Sequence, residues 1–324
     1  MFKFSIGHRT LLVGLSMAAQ IMVTQAQPLP DGTLRIVVGF QAGGSSDRIA
    51  RIVADRLKDK LGVPVIVENK PGAGSRIAAQ VVKSAPIGQN VLMLANPAGM
   101  VIGPLLYKDA GYDPMTDFTA VSNVNHFDTA LAVSTAVPVK ELSQLMAWLK
   151  ANPQKANFGV PAPGSLPYFF ALMLGEAAKI QPLVVTYNGS APMLNDLLGG
   201  QIPLALDTPD SVEPHHRAGK LRILAVSSAK RLPFLSDVPT FQELGLNIVA
   251  TGWTAFFAPK SMPLDKVDRI ANAIQEVMKE PETQKRFTDA NLVPVVSSRT
   301  QTEAMVQAFR EQWIPVIQNS GYKP

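Results

Sequence analysis

The sequence of 324 residues predicts an α/β fold in which sheets of mainly parallel strands are covered by helices. Short apolar runs of strand length alternate with segments of helical periodicity from Leu34 to Ser228. Such alternation is the pattern of parallel sheets with helices on their faces. With 47% hydrophobic and 17% charged residues, the composition is that of a globular protein large enough for two domains.

The first unit is "LRIVVGFQAGGSSDRIARIVADRLKDKLG", from Leu34 to Gly62. An apolar run over residues 34–38 predicts a strand, and a loop rich in glycine and serine follows it. Apolar residues then recur at helical spacing up to Gly62, a typical helix end. The periodic residues are Ile49, Ile52, Val53, Leu57 and Leu61.

The same rhythm continues along the chain. Strands are predicted at "VPVIVEN", "QNVLMLAN", "FDTALAVS", "NFGV", "PLVVTY", "QIPLALD" and "LRILAVSS". Helices are predicted at "KPGAGSRIAAQVVKSA", "VKELSQLMAWLKANP", "LPYFFALMLGEAAK", "NGSAPMLNDLLGG" and "HHRAGK". From Leu264 the chain is predicted to be helical in "LDKVDRIANAIQEVMKEP" and "TEAMVQAFREQWIPVIQNSG", with one short strand near residues 292–296.

No linker rich in proline or glycine divides the chain. A discontinuous arrangement is therefore expected, in which the chain leaves the first domain near Phe127, builds the second, and returns near Trp253. The predicted boundaries are residues 27–128 and 252–324 for the first domain and 129–251 for the second.

The N-terminus predicts a secretory signal peptide over residues 1–26. Lys3 and Arg9 precede an uncharged stretch from Thr10 to Pro30, and Thr24 to Ala26 offers a small-x-small cleavage site before Gln27. Ala18 and Ala19 are alternative sites, and a membrane anchor of roughly 20 residues is the competing interpretation. The exported protein is expected in the periplasm.

Composition excludes several classes of function. The chain has no cysteine, which rules out disulfides, thiol nucleophiles and cysteine metal sites. Its 30 basic and 25 acidic residues give a net charge of +5, and without Lys3 and Arg9 the charge is about +3. Because the basic residues form no run or stripe, nucleic-acid binding is disfavoured.

Three loops that precede helices have the features of anion sites. In "GFQAGGSSD", Ser45 is expected to cap the helix while the amides of residues 44–47 face a small anion. In "VPAPGSLP" the expected cap is Ser165, and in "YNGSAP" it is Ser190. The glycine motif of dinucleotide-binding loops, Gly-x-Gly-x-x-Gly, is not completed in these loops, and the sequence has no Walker-type Gly-Lys-Ser/Thr. Such loops also occur as purely structural turns, but three of them suggest a cleft at the carboxyl ends of strands.

Catalytic motifs are missing from the sequence, which has neither Gly-x-Ser-x-Gly nor His-Glu-x-x-His. His215 and His216 are adjacent on a predicted helix and point to different faces, so a shared metal is disfavoured. Asp207 ends an apolar strand, where it would either receive a hydrogen-bond donor of a ligand or cap the next turn. No enzyme activity, metal or cofactor is predicted.

The ordered segments resemble a known family. They are "RIVVGFQAGGSSD", "VIVENKPGAGSRIAA", "YDPMTDFTAVSNV", "NFGV", "YNGSAPMLNDLLGGQIPLALD", "AGKLRILAVSSAKRLPFLSDVPTFQELGL" and "GWTAFFAP". In order and spacing they resemble the Bug/TctC family, the periplasmic solute-binding proteins of tripartite tricarboxylate transporters. The resemblance implies a type II periplasmic-binding-protein fold, with two α/β domains that close like a hinge on a carboxylate-bearing ligand. It also implies a monomer whose partners are the permease subunits of the transporter.

Position by position, the resemblance implies a ligand site built from two loops and one wall. The first loop comprises Phe40, Gln41, Ala42, Gly43, Gly44, Ser45, Ser46 and Asp47. The second, running up to Pro167, includes Val160, Pro161, Ala162, Gly164 and Ser165, and the wall includes Tyr187, Ser190, Ala191 and Asp207.

This chain departs from the family pattern in ways that bear on the ligand. Gln41 replaces a usual proline, and "VPAPGSLPYFF" lacks polar residues that many relatives carry in the second loop. This favours an aromatic or dicarboxylic acid with a mainly apolar body over a hydroxyl-rich acid such as citrate. Arg76 is either a second carboxylate partner or a surface charge. Two other functions stay open, a periplasmic sensor for a two-component kinase and an exported enzyme that binds phosphate in the glycine loop.

Overall fold

The structure, a computed structural model, describes Met1 and residues 32–320. The predicted signal peptide and its cleavage site lie outside the described residues. Within the described part of the chain, no helix is long and apolar enough to cross a membrane.

Eleven strands form two sheets within residues 32–320. They are β1 (Leu34–Val38), β2 (Val65–Asn69), β3 (Val91–Ala95), β4 (Phe118–Phe127), β5 (Ala130–Ser134), β6 (Asn157–Val160), β7 (Leu183–Thr186), β8 (Leu204–Asp207), β9 (Leu221–Val226), β10 (Gly252–Pro259) and β11 (Val293–Pro294). The first sheet has the order β11-β4-β10-β3-β1-β2 and the second the order β7-β6-β8-β5-β9.

Eleven α-helices of the same range cover these sheets. They are α1 (Ser45–Leu61), α2 (Arg76–Lys83), α3 (Gly103–Leu106), α4 (Pro114–Asp117), α5 (Leu142–Ala151), α6 (Leu166–Ala178), α7 (Ser190–Leu198), α8 (Pro209–Arg217), α9 (Leu264–Lys279), α10 (Pro281–Asp289) and α11 (Arg299–Asn319). A π-helical turn, Ala98–Ile102, leads into α3.

The sheets are mixed, whereas mainly parallel pairing was predicted. Strand β1 is parallel to β2 and β3, and β6 is parallel to β7 and β8. Antiparallel pairs join β10 to β3 and β4, β11 to β4, and β5 to β8 and β9. The reason is that β4 and β10 carry the chain out of the first sheet and back into it, so they run in opposite directions side by side.

The chain crosses between the two sheets at two points that lie side by side in space. Strand β4 ends at Phe127, which pairs with Gly252 at the start of β10, and β5 begins three residues after Phe127. Next to this pair, the Thr251 hydroxyl donates to the Asp128 carboxylate at 2.8 Å. The chain therefore crosses between the sheets near the residues expected from the sequence. The assignment of whole domains on either side of the crossings stays a prediction.

Strand β4 was not predicted because buried polar residues interrupt its apolar pattern. Ser122, Asn123 and Asn125 are all buried, and each forms a hydrogen bond with the segment that precedes α11. Within the described residues, Asn123 Oδ1 and Asn125 Nδ2 have no partner. The Ser122 hydroxyl donates to the Ser297 carbonyl at 2.8 Å, and the Asn125 side-chain oxygen accepts from the Val293 amide at 3.1 Å. These bonds allow a polar strand to lie in the interior.

The last helix, α11, links the two sheets through aromatic packing. Trp313 stacks on Phe309 of the same helix at a centroid distance of 5.5 Å and meets Phe169 of α6 edge-on at 6.2 Å. Both partners of Trp313 are buried. The C-terminal helix therefore contributes to the contact between the two halves of the molecule.

Candidate ligand-binding cleft

A cavity lies between the two sheets and receives residues from both. Its lining residues follow the carboxyl ends of strands or begin helices, apart from two on the crossing strands. They are Phe40, Gly44, Ser45, Ser46, Asn96, Pro97, Ala98, Phe127, Pro161, Ala162, Ser165, Leu166, Pro167, Gly189, Ser190, Asp207, Thr208 and Thr254. This is the position at which open α/β sheets bind ligands.

The first wall is the start of α1. The N-cap residue of α1 is Gly44, whose extended backbone carries no side-chain cap, so the prediction that Ser45 caps the helix is wrong. Ser45 and Ser46 are the first helical residues and line the cavity. Because the first amides of a helix have no partner within the helix, they are available to a ligand on this side.

Asp47 lies beneath this wall and does not line the cavity. Its carboxylate accepts hydrogen bonds from the Gly43 amide at 2.9 Å and the Asn69 side chain at 3.0 Å, and it pairs with Arg51 at 2.9 Å. Burial raises the pKa of Asp47, but the bonds from Arg51, Gly43 and Asn69 outweigh it and hold the pKa below its usual value. Asp47 thus fixes the shape of the glycine loop.

The second wall is the loop before α6. Pro161, Ala162, Leu166 and Pro167 present carbon atoms to the cavity, and Ser165 caps α6 by accepting from the Tyr168 amide at 3.3 Å, which confirms the predicted cap. The Ser165 hydroxyl accepts in the cap and can still donate through its hydrogen, so it is the one side-chain donor among these five residues.

Two more helices begin at the cavity. The N-cap of α7 is Gly189, so Ser190 is its first residue and the prediction that it caps the helix is wrong. The N-cap of α8 is Thr208. The starts of α1, α6, α7 and α8 therefore surround one space, and their dipoles all favour a negative charge there. No lysine, arginine or histidine of residues 32–320 lines the cavity.

Asp207 is the carboxylate of the cavity, at the end of β8. It is 1% exposed, and one of its oxygens, Oδ1, accepts from the Thr208 amide at 2.8 Å. Burial raises the pKa of Asp207 to about 7, and the nearby Ser190 hydroxyl and the hydrogen bond from the Thr208 amide oppose that rise. Ionisation of Asp207 in the folded protein therefore costs more free energy than ionisation of an aspartate in water.

The third edge of the cavity was not predicted. Asn96, Pro97 and Ala98 follow β3, and the Asn96 side-chain oxygen accepts from the Ala98 amide at 3.0 Å. The signal was the same as for Asp207, a polar residue directly after an apolar strand. Phe127 and Thr254 also line the cavity, but they lie on the crossing strands and had no comparable signal.

The structure brings nine of the 17 predicted site residues to the cavity. Those that line it are Phe40, Gly44, Ser45, Ser46, Pro161, Ala162, Ser165, Ser190 and Asp207. Those that do not are Gln41, Ala42, Gly43, Asp47, Val160, Gly164, Tyr187 and Ala191. The Tyr187 hydroxyl donates to Asp196 at 2.7 Å instead.

Several of these other residues help to bring the two walls together. Gly164 has a φ of +61°, and a Cβ built there would lie 2.7 Å from a methyl carbon of Leu106 on α3. A Cβ on Gly189 would lie 3.4 Å from the Gln41 amide nitrogen. Glycine at these positions permits close approach across the cleft.

Arg76, His126, His215 and His216 do not line the cavity. The Arg76 guanidinium stacks over the Tyr107 ring at 3.4 Å and donates to the Ala73 carbonyl at 2.9 Å. His216 accepts from the Ile223 amide at 3.2 Å. Within the described residues, no group of histidine, aspartate and glutamate side chains is arranged to hold a metal ion.

Two α/β halves around a cleft lined by helix starts define a bilobed solute-binding protein. Residues 49–322 match the model of the tripartite tricarboxylate transporter family receptor, TctC, so the chain belongs to this family. A curated relative, protein BugT of Bordetella pertussis, is 32% identical over 304 residues, which is 92% of each chain.

Solved structures agree with this assignment. The protein Rpa4515 of R. palustris, described with adipate, has a TM-score of 0.87 at 29% identity, covering 91% of this chain and 99% of that one. MatC from Rhodopseudomonas palustris, described with bound malate, has a TM-score of 0.82 at 27% identity, covering 89% of this chain and 99% of that one. The type II periplasmic-binding-protein fold expected from the sequence is confirmed.

Proposed function

We propose that this protein captures a small carboxylate in the periplasm by closing its two halves and delivers it to the permease of a tripartite tricarboxylate transporter. The observation that carries the proposal is the convergence of four helix starts on one cavity. An anion needs donors and positive potential, and backbone amides at helix starts supply both without a cationic side chain. Membership of the receptor family supports the delivery role.

One ligand carboxylate is expected on the start of α1, at Gly44 to Ser46. This segment is the part of the first wall that lines the cavity and has no side-chain cap. The glycine loop behind it is held by Asp47 through the Gly43 amide. A preorganised loop loses less entropy on binding, which favours affinity for a small anion.

The body of the ligand is expected to be mainly apolar. The opposite side of the cavity presents Pro161, Ala162, Leu166 and Pro167, and Phe40 and Phe127 add aromatic surface. A ligand hydroxyl facing carbon atoms lacks a partner, at a cost of roughly 1 to 3 kcal/mol. The adipate named for a relative at 29% identity fits this chemistry, and the malate named for another makes a hydroxy acid the main competitor.

The remaining parts of the role follow from the same assignment. We expect a monomer in the periplasm, cleaved near Ala26, with no catalytic activity and no cofactor. The chemistry of the cavity supports binding, because its side chains comprise one carboxyl group, one amide and several hydroxyls, and no histidine or lysine of residues 32–320 is present there to act as a base.

Thermal shift and calorimetry on the mature protein test the proposal. Adipate, malate, citrate and benzoate are compared at equal concentration, with adipamide as the uncharged matched control for adipate and phosphate as the probe for the enzyme alternative. A ligand that binds only the folded state raises the melting temperature. We expect stabilisation by carboxylates and none by adipamide. Stabilisation by phosphate alone, or by adipamide as strongly as by adipate, would contradict carboxylate recognition.

A further inference from the structure

One oxygen of the Asp207 carboxyl group, Oδ2, is buried without a hydrogen-bond partner of normal geometry among the described residues, although the Ser190 hydroxyl lies near the carboxyl group. The other oxygen, Oδ1, accepts from the Thr208 amide at 2.8 Å. Since buried polar atoms are almost always satisfied, and Asp207 lines the cavity, Oδ2 is placed to contact a bound molecule.

The charges around Asp207 do not neutralise it. The charged groups that face it are Asp210 on α8, which raises its pKa, and Arg48 on α1, which lowers it. The Arg48 guanidinium is already paired with Asp210, donating to its carboxylate and, at 3.2 Å, to its carbonyl oxygen. A ligand carboxylate entering the cavity would therefore place a second negative charge near Asp207 without a cation added to balance it.

Two carboxylates in one buried site cannot both stay ionised at low cost, so one of them takes a proton. We propose that Asp207 binds the ligand as a neutral carboxylic acid, with its Oδ2–H donating to a ligand carboxylate oxygen, so that binding in neutral or alkaline solution takes up one proton from solvent. The inference rests on the proposed carboxylate function. The proton adds to Oδ2, the ligand stays a carboxylate, and no other bond forms or breaks. The ligand-free pKa of about 7 agrees with this account, since the proton is then gained near neutral pH.

Under this proposal Asp207 is a hydrogen-bond donor to the ligand, whereas an acceptor was expected from the sequence. An ionised Asp207 would accept a hydrogen bond and select a ligand hydroxyl or ammonium group, whereas a protonated Asp207 donates and selects a second acceptor. It also gives the cavity one side-chain donor for the anion besides the serine and threonine hydroxyls, although no cationic side chain lines it. Above pH 7 the dissociation constant should then rise by up to about tenfold per pH unit.

Calorimetry with adipate as the probe tests the proposal. The mature wild-type protein is titrated in two buffers of different ionisation enthalpy at pH 6.5 and at pH 8.5, which gives the number of protons taken up per ligand bound. The Asp207→Asn variant is the matched control, because its amide keeps the donor but cannot titrate. Its proton number also reports any protonation of adipate itself.

We expect the wild-type proton number, corrected with the variant, to be small at pH 6.5 and above one half at pH 8.5. From pH 6.5 to pH 8.5 the dissociation constant of the wild type should rise roughly 20- to 30-fold, whereas that of Asp207→Asn should stay nearly constant. No proton uptake by the wild type at either pH overturns the proposal, as does a folded variant whose dissociation constant rises with pH as steeply as that of the wild type. If the variant does not fold, the wild-type proton numbers decide alone. If the wild type binds no carboxylate at either pH, the proposed function fails and this inference with it.

Discussion

The Arg48 guanidinium of α1 bridges the cleft to the Asp210 carboxylate of α8. Asp210 is 3% exposed in its side chain, and Arg48 is 34% exposed. Burial raises the pKa of Asp210, and Arg48 opposes that rise. On the same face, the Asn291 side chain donates to Glu213 of α8 at 2.7 Å. These contacts join elements of the two halves across the cleft.

Replacing Arg48 should favour the open form. In Arg48→Gln the buried Asp210 loses its cation, so closure costs more and ligand affinity falls, by about 1 to 2 kcal/mol because Arg48 is partly exposed. Calorimetry with the best carboxylate and small-angle scattering of the ligand-free protein measure the two effects. Arg35→Gln, which breaks a pair with Glu68 within the first sheet, is the control and should change neither. Equal affinities in the two variants would show that the bridge does not stabilise closure.

Filling the first wall should weaken binding without unfolding the protein. A Cβ at Gly44 would lie 3.6 Å from the Gln41 carbonyl oxygen, an ordinary contact, and its backbone φ of −78° suits any residue. We therefore expect Gly44→Val to fold and to lose about 1 to 2 kcal/mol of binding free energy, the scale of a lost buried hydrogen bond. Calorimetry measures the loss.

The matched control for Gly44→Val is Ala42→Val. Ala42 is exposed in the same loop and does not line the cavity, so the added methyl groups should leave affinity unchanged. If the two variants bind equally well, a ligand carboxylate does not approach the backbone at Gly44.

The ligand-free protein should lose stability as pH rises from about 4 to about 7. The pKa of Asp207 is raised to about 7 by burial, above its value of about 3.9 in an unfolded chain. Between these values the folded state binds more protons than the unfolded state, so the free energy of unfolding falls with rising pH, by up to about 4 kcal/mol for this group. The raised pKa of Asp210 acts in the same direction.

Denaturant titrations at pH 5 and pH 8 measure this dependence. Asp207→Asn should be more stable than the wild type at pH 8 and should show a smaller loss between the two pH values. Carboxylates with lowered pKa, such as Asp47, stabilise only above their own unfolded pKa and do not produce a loss in this window. A wild type that gains stability from pH 5 to pH 8 would contradict the raised pKa.

Sequence patterns predicted the strands and helices whose apolar spacing is regular. Strand β1, helix α1 and the loops before α6 and α7 were predicted because each strand is mainly apolar and each helix has an apolar stripe. Strands β4 and β10 were not predicted as strands, since polar residues in the interior of β4 hydrogen-bond to Ser297 and Val293, which lie about 170 residues away in sequence. Such long-range partners leave no local signal.

Site residues could be predicted from the sequence only where a polar residue or a glycine loop directly follows an apolar strand. Asp207 and the glycine loop each follow an apolar strand, and Asn96 does so too, although it was not singled out. Asp47 was included as a ligand residue, yet its side chain supports the loop through Gly43 and Asn69. A loop sequence specifies that a carboxylate is present but not whether it faces the ligand or the protein.

Export is expected to leave a mature protein that begins near Gln27. The uncharged stretch after Arg9 and the small residues before Gln27 motivate this prediction. Cell fractionation followed by N-terminal sequencing measures it. Full-length protein that retains Met1 in the membrane fraction would instead support an uncleaved anchor.

The second wall should set the preference between apolar and hydroxylated acids. Leu166 is 2% exposed and lines the cavity as the first residue of α6. In the wild type, the carbon chain of adipate gains about 25 cal/mol per Å² buried against this wall, whereas a malate hydroxyl there finds no partner. Leu166→Asn removes apolar surface and adds a donor, so adipate should bind about 1 to 2 kcal/mol weaker while malate is less affected.

Leu183→Asn, at a side chain 64% exposed on β7, is the control and should leave the ratio of the two affinities unchanged. Calorimetry with both acids gives the ratio, and a wild type that binds malate or citrate more tightly than adipate would show that the apolar wall does not face the ligand body.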